Sequence, residues 1–165
     1  MRKLVVITFL IFGFTVNSNA QISNHAIGLR GGLGRVGFGG EFSYQYGLND
    51  INRLEFDLGT NGSRYSNFRI THQTLSVIYH WVWPIKDGLN WYVGPGGQIG
   101  SYRDSFYGFE RNITLGVGGQ IGIEYDFNQH DVPLLLGLDT RPMLGLGNYA
   151  TGYGFETAFS LRYTF

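Results

Sequence analysis

The residues best able to do chemistry recur at every second position. His72, Ser76 and His80 fall four residues apart in one segment. A histidine beside a serine is the base and nucleophile of acyl transfer, and a carboxylate would complete the relay. A larger set is charged: Arg30, Glu41, Arg53, Glu55, Asp57, Glu124, Asp126, Asp139, Arg141, Glu156 and Arg162. Seven acids and four arginines on alternating positions could line an ion path or neutralise one another as an internal plug. No Cys is present, which excludes a disulfide scaffold, a Cys-zinc site and a thiol nucleophile. The formal net charge of +0 provides no basic surface for nucleic acid. Nothing in these residues requires a cofactor or a metal, and none is expected.

The elements that position these groups are strands. Gly accounts for 26 of 165 residues, which rules out an all-helical chain because each would cost a helix roughly 1 kcal/mol. An aromatic content of 16% argues against disorder. The charged fraction is 15%, below the ~25% of an ordinary soluble domain. Apolar residues alternate with polar ones, the period of a strand. Phe155, Thr157, Phe159, Leu161, Tyr163 and Phe165 share one face, and Glu156, Ala158, Ser160, Arg162 and Thr164 the other. Segment 113–127 repeats the pattern, with Ile113, Leu115, Val117, Ile121 and Ile123 opposed to Thr114, Gln120 and Glu124. Six further segments behave alike, beginning near residues 26, 38, 53, 72, 91 and 134, which makes eight strands.

Turns are expected at 49–50, 84–88 and 128–133, and polar loops at 59–66, 103–111 and 145–154. The motif GGQIG occurs at 96–100 and again at 118–122, an echo of two adjacent strands. Strand geometry already limits the candidate chemistry. Residues four apart lie roughly 13 Å apart, so His72 and His80 cannot share a metal and His72 cannot touch Ser76. No acid is placed beside them, and the histidines read as interior filler. The glycosylation-type triplets Asn61-Gly62-Ser63 and Asn112-Ile113-Thr114 carry no weight.

Alternation alone does not say which face is inside. A soluble barrel buries its apolar face, whereas a membrane barrel turns that face to lipid. Three features favour lipid. Aromatics gather at one end of the apolar face, at Tyr44, Tyr46, Trp81, Trp83, Trp91, Tyr125, Phe127 and Tyr163, as in an interfacial girdle. The opposite face is rich in Gly, Ser, Thr and Gln as well as charge, which suits a narrow packed lumen. Beyond residue 20, Lys86 is the single lysine. The predicted fold is therefore all-β: a closed antiparallel eight-stranded up-and-down transmembrane β-barrel, whose closure leaves no exposed edge. Inward Gly94, Gly96, Gly100, Gly116, Gly118 and Gly122 are expected to make room for long side chains from across the barrel. Outward Tyr65, Phe68, Phe106, Tyr107, Phe109, Tyr149 and Tyr153 read as an upper girdle and loop packing.

Residues 1–20 have the makeup of a cleaved signal peptide: Arg2 and Lys3, an uncharged apolar run over 4–16, then Ser18-Asn19-Ala20. The run of ~13 residues is short of the ~20 that a spanning helix needs. Residues 21–165 are read as one barrel domain.

The alternation and the ending Phe159-x-Leu161-x-Tyr163-x-Phe165 resemble the small outer-membrane barrels of the OmpA/OmpX kind, the porin-family barrels of Gram-negative bacteria. The resemblance covers residues 21–165. It implies an integral outer-membrane protein with a structural or small-solute role and no catalysis. It also implies periplasmic termini, outer-membrane lipid around the wall, and recognition of Phe159, Leu161, Tyr163 and Phe165 by the barrel-assembly machinery. A monomer is expected, and no peptidoglycan-binding role carries over. Barrel-type lipid A deacylases and acyltransferases are a rival reading, weakened because the deacylase site of such barrels faces lipid, where this chain shows no His/Ser pair. A secreted soluble barrel holding a hydrophobic ligand is a second rival.

Overall fold

The computed structural model describes residues 23–34, 37–65, 68–104, 111–146 and 152–165; the expected signal peptide lies outside them. Eight antiparallel strands follow in chain order: β1 (His25–Gly34), β2 (Gly37–Asn49), β3 (Asn52–Tyr65), β4 (Phe68–Lys86), β5 (Leu89–Asp104), β6 (Arg111–Asp126), β7 (Leu134–Leu146) and β8 (Gly152–Thr164). Each pairs with its sequence neighbours, and β1 pairs with β8 through Leu29↔Leu161 and Arg30↔Ser160 to close the cylinder. Closure gives every strand two partners, so among the described residues no strand edge is left unpaired.

The turns at one end follow from local chemistry. Asp87 and Gly88 both have positive φ, 46° and 80°, which is the mirror-image turn that matches the twist of a hairpin. Asn49 accepts from the backbone N–H groups of Ile51 and Asn52 at 3.1 and 2.9 Å, an Asx-turn. Between β6 and β7 a single 3₁₀ turn spans Phe127–His130.

At the other end the strands run further than expected. Residues 59–65 continue β3 and pair with 68–74 of β4, and the β5–β6 ladder extends to Arg103↔Arg111. Gly59, Asn61 and Gly62 have weak strand propensity, but the neighbouring strand offers each backbone group a ready partner, and that context overrides propensity. The two GGQIG segments lie on paired strands and meet only at their first residues. Gly96 stands opposite Gly118, Gln98 opposite Gly116 and Gln120 opposite Gly94, so the glutamine of each motif faces a glycine across the ladder.

Burial is inverted relative to a water-soluble protein. Leu29 is 67% exposed, Leu58 62%, Ile113 74% and Phe159 55%, all outward. Arg30, Glu55, Asp57, Arg141 and Arg162 are at most 1% exposed. The apolar rows do not meet in the interior, which overturns the reading of a soluble barrel with a hydrophobic pocket. An apolar surface continuous around the wall is far larger than a soluble monomer tolerates, and it is what a transmembrane barrel presents to lipid.

Candidate functional site

The chemistry of this chain is concentrated in the lumen, where strand parity sends the charged residues. Removing a charge from water costs several kcal/mol, so such groups persist only when paired and hydrogen-bonded. The register supplies some partners directly, since Arg30 of β1 stands opposite Glu41 of β2. Its guanidinium meets Glu41 at 2.6 Å, Asp139 of β7 at 2.6 Å and Glu156 of β8 at 2.7 Å. Other partners come from across the cylinder. Arg141 of β7 reaches Glu41 at 3.3 Å and Glu55 at 3.4 Å, and also pairs with Asp57 of β3. Arg162 of β8 meets Glu55 at 2.9 Å and donates to Ser43 of β2 at 2.9 Å. Glu55 further accepts from Gln45 at 2.6 Å and Gln120 at 3.1 Å. Its carboxylate is thereby held by groups from β2, β6, β7 and β8 at once.

A second cluster lies nearer the turn end. Arg53 of β3 donates to both oxygens of Glu124 on β6 at 2.8 and 2.6 Å. Its guanidinium carbon sits 4.8 Å from the centre of the Tyr92 ring, a cation–π contact in a dry site. Its Nε donates to His80 Nδ1 at 3.3 Å, and the His80 ring packs on Tyr92 at 4.6 Å between centroids. The side chains together bridge the lumen from β3 to β6 and from β3 to β7 and β8. An eight-stranded interior is just wide enough for side chains to fill, and here they do so as a plug of pairs.

Ten of the eleven charged residues expected in the lumen belong to these two clusters. The correction is Asp126. As the last residue of β6 it lies at the barrel end and caps the 3₁₀ turn, accepting from the backbone N–H and side-chain amide of Asn128 at 2.9 and 2.6 Å. The frayed end of a strand leaves donors without ladder partners, and the nearest carboxylate satisfies them.

The three strand-four residues do not form a relay. Ser76 stands opposite Asp57 in the β3–β4 register, an acid that spacing within β4 alone could not supply. Each histidine has a different partner, however: His80 accepts from Arg53, and His72 Nε2 lies 2.9 Å from Thr114 Oγ1 of β6. Buried atoms without a hydrogen-bond partner among the described residues include Ser76 Oγ, Asp57 Oδ1, Glu41 Oε1 and His80 Nε2.

Reading the sequence missed Gln45, Gln120, Ser43 and Tyr92 as members of the network, although their parity marks them as inward. The inward glycines make room as expected, but chiefly for neighbours on adjacent strands and not for side chains from across the barrel. A Cβ at Gly122 would come 2.6 Å from Tyr92 Oη and 2.8 Å from Asp139 Cβ, and one at Gly96 would come 2.2 Å from Ile78 Cδ1. In the sheet, a large residue leans over the position directly opposite, so that position must be small.

The aromatic row lies outward near the turn end. Trp83 and Trp91 are register partners stacked at 4.6 Å, and Tyr79 meets Trp81 edge-on at 5.1 Å. Tyr44 Oη bonds His25 Nδ1 at 2.9 Å, and Tyr125 Oη lies 3.1 Å from His130 Nε2. Apolar rings with polar tips suit a membrane–water boundary. Tyr46, Tyr163 and Phe165 are exposed in the same belt, Phe127 packs edge-on against Tyr125 at 4.7 Å, and the row Phe159, Leu161, Tyr163, Phe165 faces outward along β8. Of the expected upper girdle, Phe106, Tyr107, Phe109 and Tyr149 lie outside the described residues.

A closed eight-stranded wall with hydrocarbon outside and ion pairs inside defines the class of small outer-membrane β-barrels. No known protein-family profile matches the chain, and no curated protein matches its sequence. Solved structures do. The Neisserial surface protein A aligns over 86% of this chain and 96% of its own, at 14% identity and a TM-score of 0.66. The attachment invasion locus protein Ail of Yersinia pestis aligns over 87% and 97%, at 13% identity and a TM-score of 0.58. The N-terminal β-barrel domain of Pseudomonas aeruginosa OprF aligns over 87% and 98%, at 16% identity and a TM-score of 0.56. At these identities the likeness is one of fold, and the fold is that of the small eight-stranded outer-membrane barrels.

Proposed function

We propose that this chain is an integral outer-membrane protein whose barrel is plugged by its own ion pairs and which acts without catalysis, in a structural or small-solute role. The observation that carries the reading is the inversion of the wall, with Leu29 and Phe159 outside and Arg141 with Glu55 inside. Residues 1–20 would direct export and be removed. The Asp87–Gly88 turn and the 3₁₀ turn would face the periplasm, together with both ends of the barrel domain, and the longer hairpin ends would face outward. Lipid surrounds the wall in this reading, and the barrel-assembly machinery inserts it as a monomer.

Membrane fractionation with heat-modifiable gel migration tests the reading. Recovery in the outer-membrane fraction with a migration shift on boiling is the expected outcome, and recovery as a soluble periplasmic monomer would overturn it. Comparing lipid A mass spectra with and without the protein tests the absence of catalysis: identical spectra are expected, and a lost acyl chain would make it an enzyme. Planar-bilayer recordings test the plug. The native chain should pass little ion current, and Arg141→Ala with Arg162→Ala should raise it.

A further inference from the structure

We propose that the lumen holds one small monovalent cation, an alkali ion or a primary ammonium, between Glu41, Asp57 and Ser76; this adds a ligand to the plug proposed above and rests on that reading. The charges of the plug call for it. Glu41, Glu55, Asp57 and Asp139 have side-chain exposures of at most 2%. They share three buried guanidiniums, those of Arg30, Arg141 and Arg162. Glu156 also pairs with Arg30, but at 18% exposure it keeps contact with water. Arg53, in the second cluster, is taken by both oxygens of Glu124. Among the described residues four dry carboxylates therefore share three dry cations, and a buried charge left uncompensated is strongly unfavourable.

The surplus charge has a location. Arg141 binds one oxygen of Glu41, Oε2, and one of Asp57, Oδ2. The second oxygen of each, Glu41 Oε1 and Asp57 Oδ1, is buried without a hydrogen-bond partner. Ser76 Oγ, in a residue that is 0% exposed, is buried and unpartnered as well.

The registers of β2, β3 and β4 bring these three oxygens together. Glu41 stands opposite Gly59, two positions along β3 from Asp57. A Cβ at Gly59 would come 2.5 Å from Glu41 Cγ, so the Glu41 side chain leans over β3. The shared Arg141 guanidinium then holds the two carboxylates side by side. Ser76 faces Asp57 from the β4 side. The outer end supplies the entrance. A Cβ at Gly34 would lie 3.0 Å from Asn61 Nδ2 and 3.4 Å from Glu156 Cγ, which places the partly exposed Glu156 beside Asn61. Glu156 and Glu41 also share Arg30 Nη1, so a path from solvent reaches the site along carboxylates.

Water would satisfy these oxygens and leave the charge. A cation does both, and its attraction to two carboxylates is strong where the surroundings are dry. The donor set fits a single charge. No three described His, Asp or Glu side chains group as the ligands of a divalent ion would.

The full chain folded in zwitterionic micelles would be dialysed into N-methylglucamine chloride. It would then be titrated at constant ionic strength with sodium, potassium, methylammonium or magnesium chloride. Equilibrium dialysis with radioactive sodium should retain one ion per chain. The thermal midpoint of the heat-modifiable shift should rise with the logarithm of monovalent ion concentration above the dissociation constant. Comparing sodium with methylammonium tells the alkali ion from the amine. Glu41→Gln should weaken binding at least about tenfold, the loss of a good ionic contact. Ser76→Ala, which touches no arginine, should weaken it without lowering the midpoint in N-methylglucamine. Asn61→Lys sets an ammonium diagonally across the ladder from Glu41, and it should raise that midpoint and remove its dependence on sodium. A midpoint indifferent to every monovalent ion, a response to magnesium alone, or stabilisation by acid with no ion retained would overturn the inference. A native barrel that passed a large ion current in a planar bilayer would instead defeat the plug itself, so the two failures are distinguishable.

Discussion

Arg53 and Glu124 lie on strands three apart around the wall, yet they face each other in the lumen and share two N–H···O bonds of 2.8 and 2.6 Å. The pair is nearly solvent-free, at 3% and 1% side-chain exposure. Its consequence is an asymmetry between breaking the pair and replacing it.

Arg53→Ala should destabilise the barrel by about 3–5 kcal/mol, because Glu124 is left charged and buried. The double change Arg53→Met with Glu124→Leu should cost much less, since neither charge remains to be satisfied. Urea unfolding in lipid vesicles, followed by tryptophan emission, measures both. A single change no costlier than the double would show that the pair is not desolvated.

Leu115→Arg introduces a charge on the outward face and should cost about 2–4 kcal/mol near the bilayer midplane. Lipids carrying a brominated chain should quench the exposed Trp81 and the stacked pair Trp83 and Trp91. Full emission in brominated lipid would place these rings away from the acyl chains.

Gly122→Leu should overpack the lumen against Tyr92 and Asp139, with a cost of about 1–3 kcal/mol. Tyr92→Ala added to it should recover part of that loss by vacating the space. The thermal midpoint of the heat-modifiable shift compares native, single and double variants, and additive losses would mean that the two positions do not share a cavity.

The wall itself was legible in the chain. Period-two alternation separated Leu29 from Arg30 and Leu58 from Asp57, and the structure keeps each on its expected side. The aromatic belt, the small polar residues of the opposite face and the scarcity of lysine then indicated which side meets lipid. Segment 59–65 was not legible as strand, because its Gly, Asn and Ser residues read as a loop until β4 lies beside them. Asp126 shares the parity of Glu124, and parity does not tell where a strand ends. The Asp57–Ser76 opposition follows from the β3–β4 register, which no spacing within either strand contains.

By itself the sequence determined the strands, their faces and the residues that enter the lumen, since a pleated backbone sends alternate side chains to opposite sides whatever its neighbours are. Tertiary structure decided who meets whom inside. Glu55 joins Arg141 and Arg162, and Arg30 joins Asp139, only once β1 has closed on β8 and set the stagger of the strands. A contact across a cylinder depends on how far each strand is displaced along its neighbour, a property of the closed sheet and of no single segment.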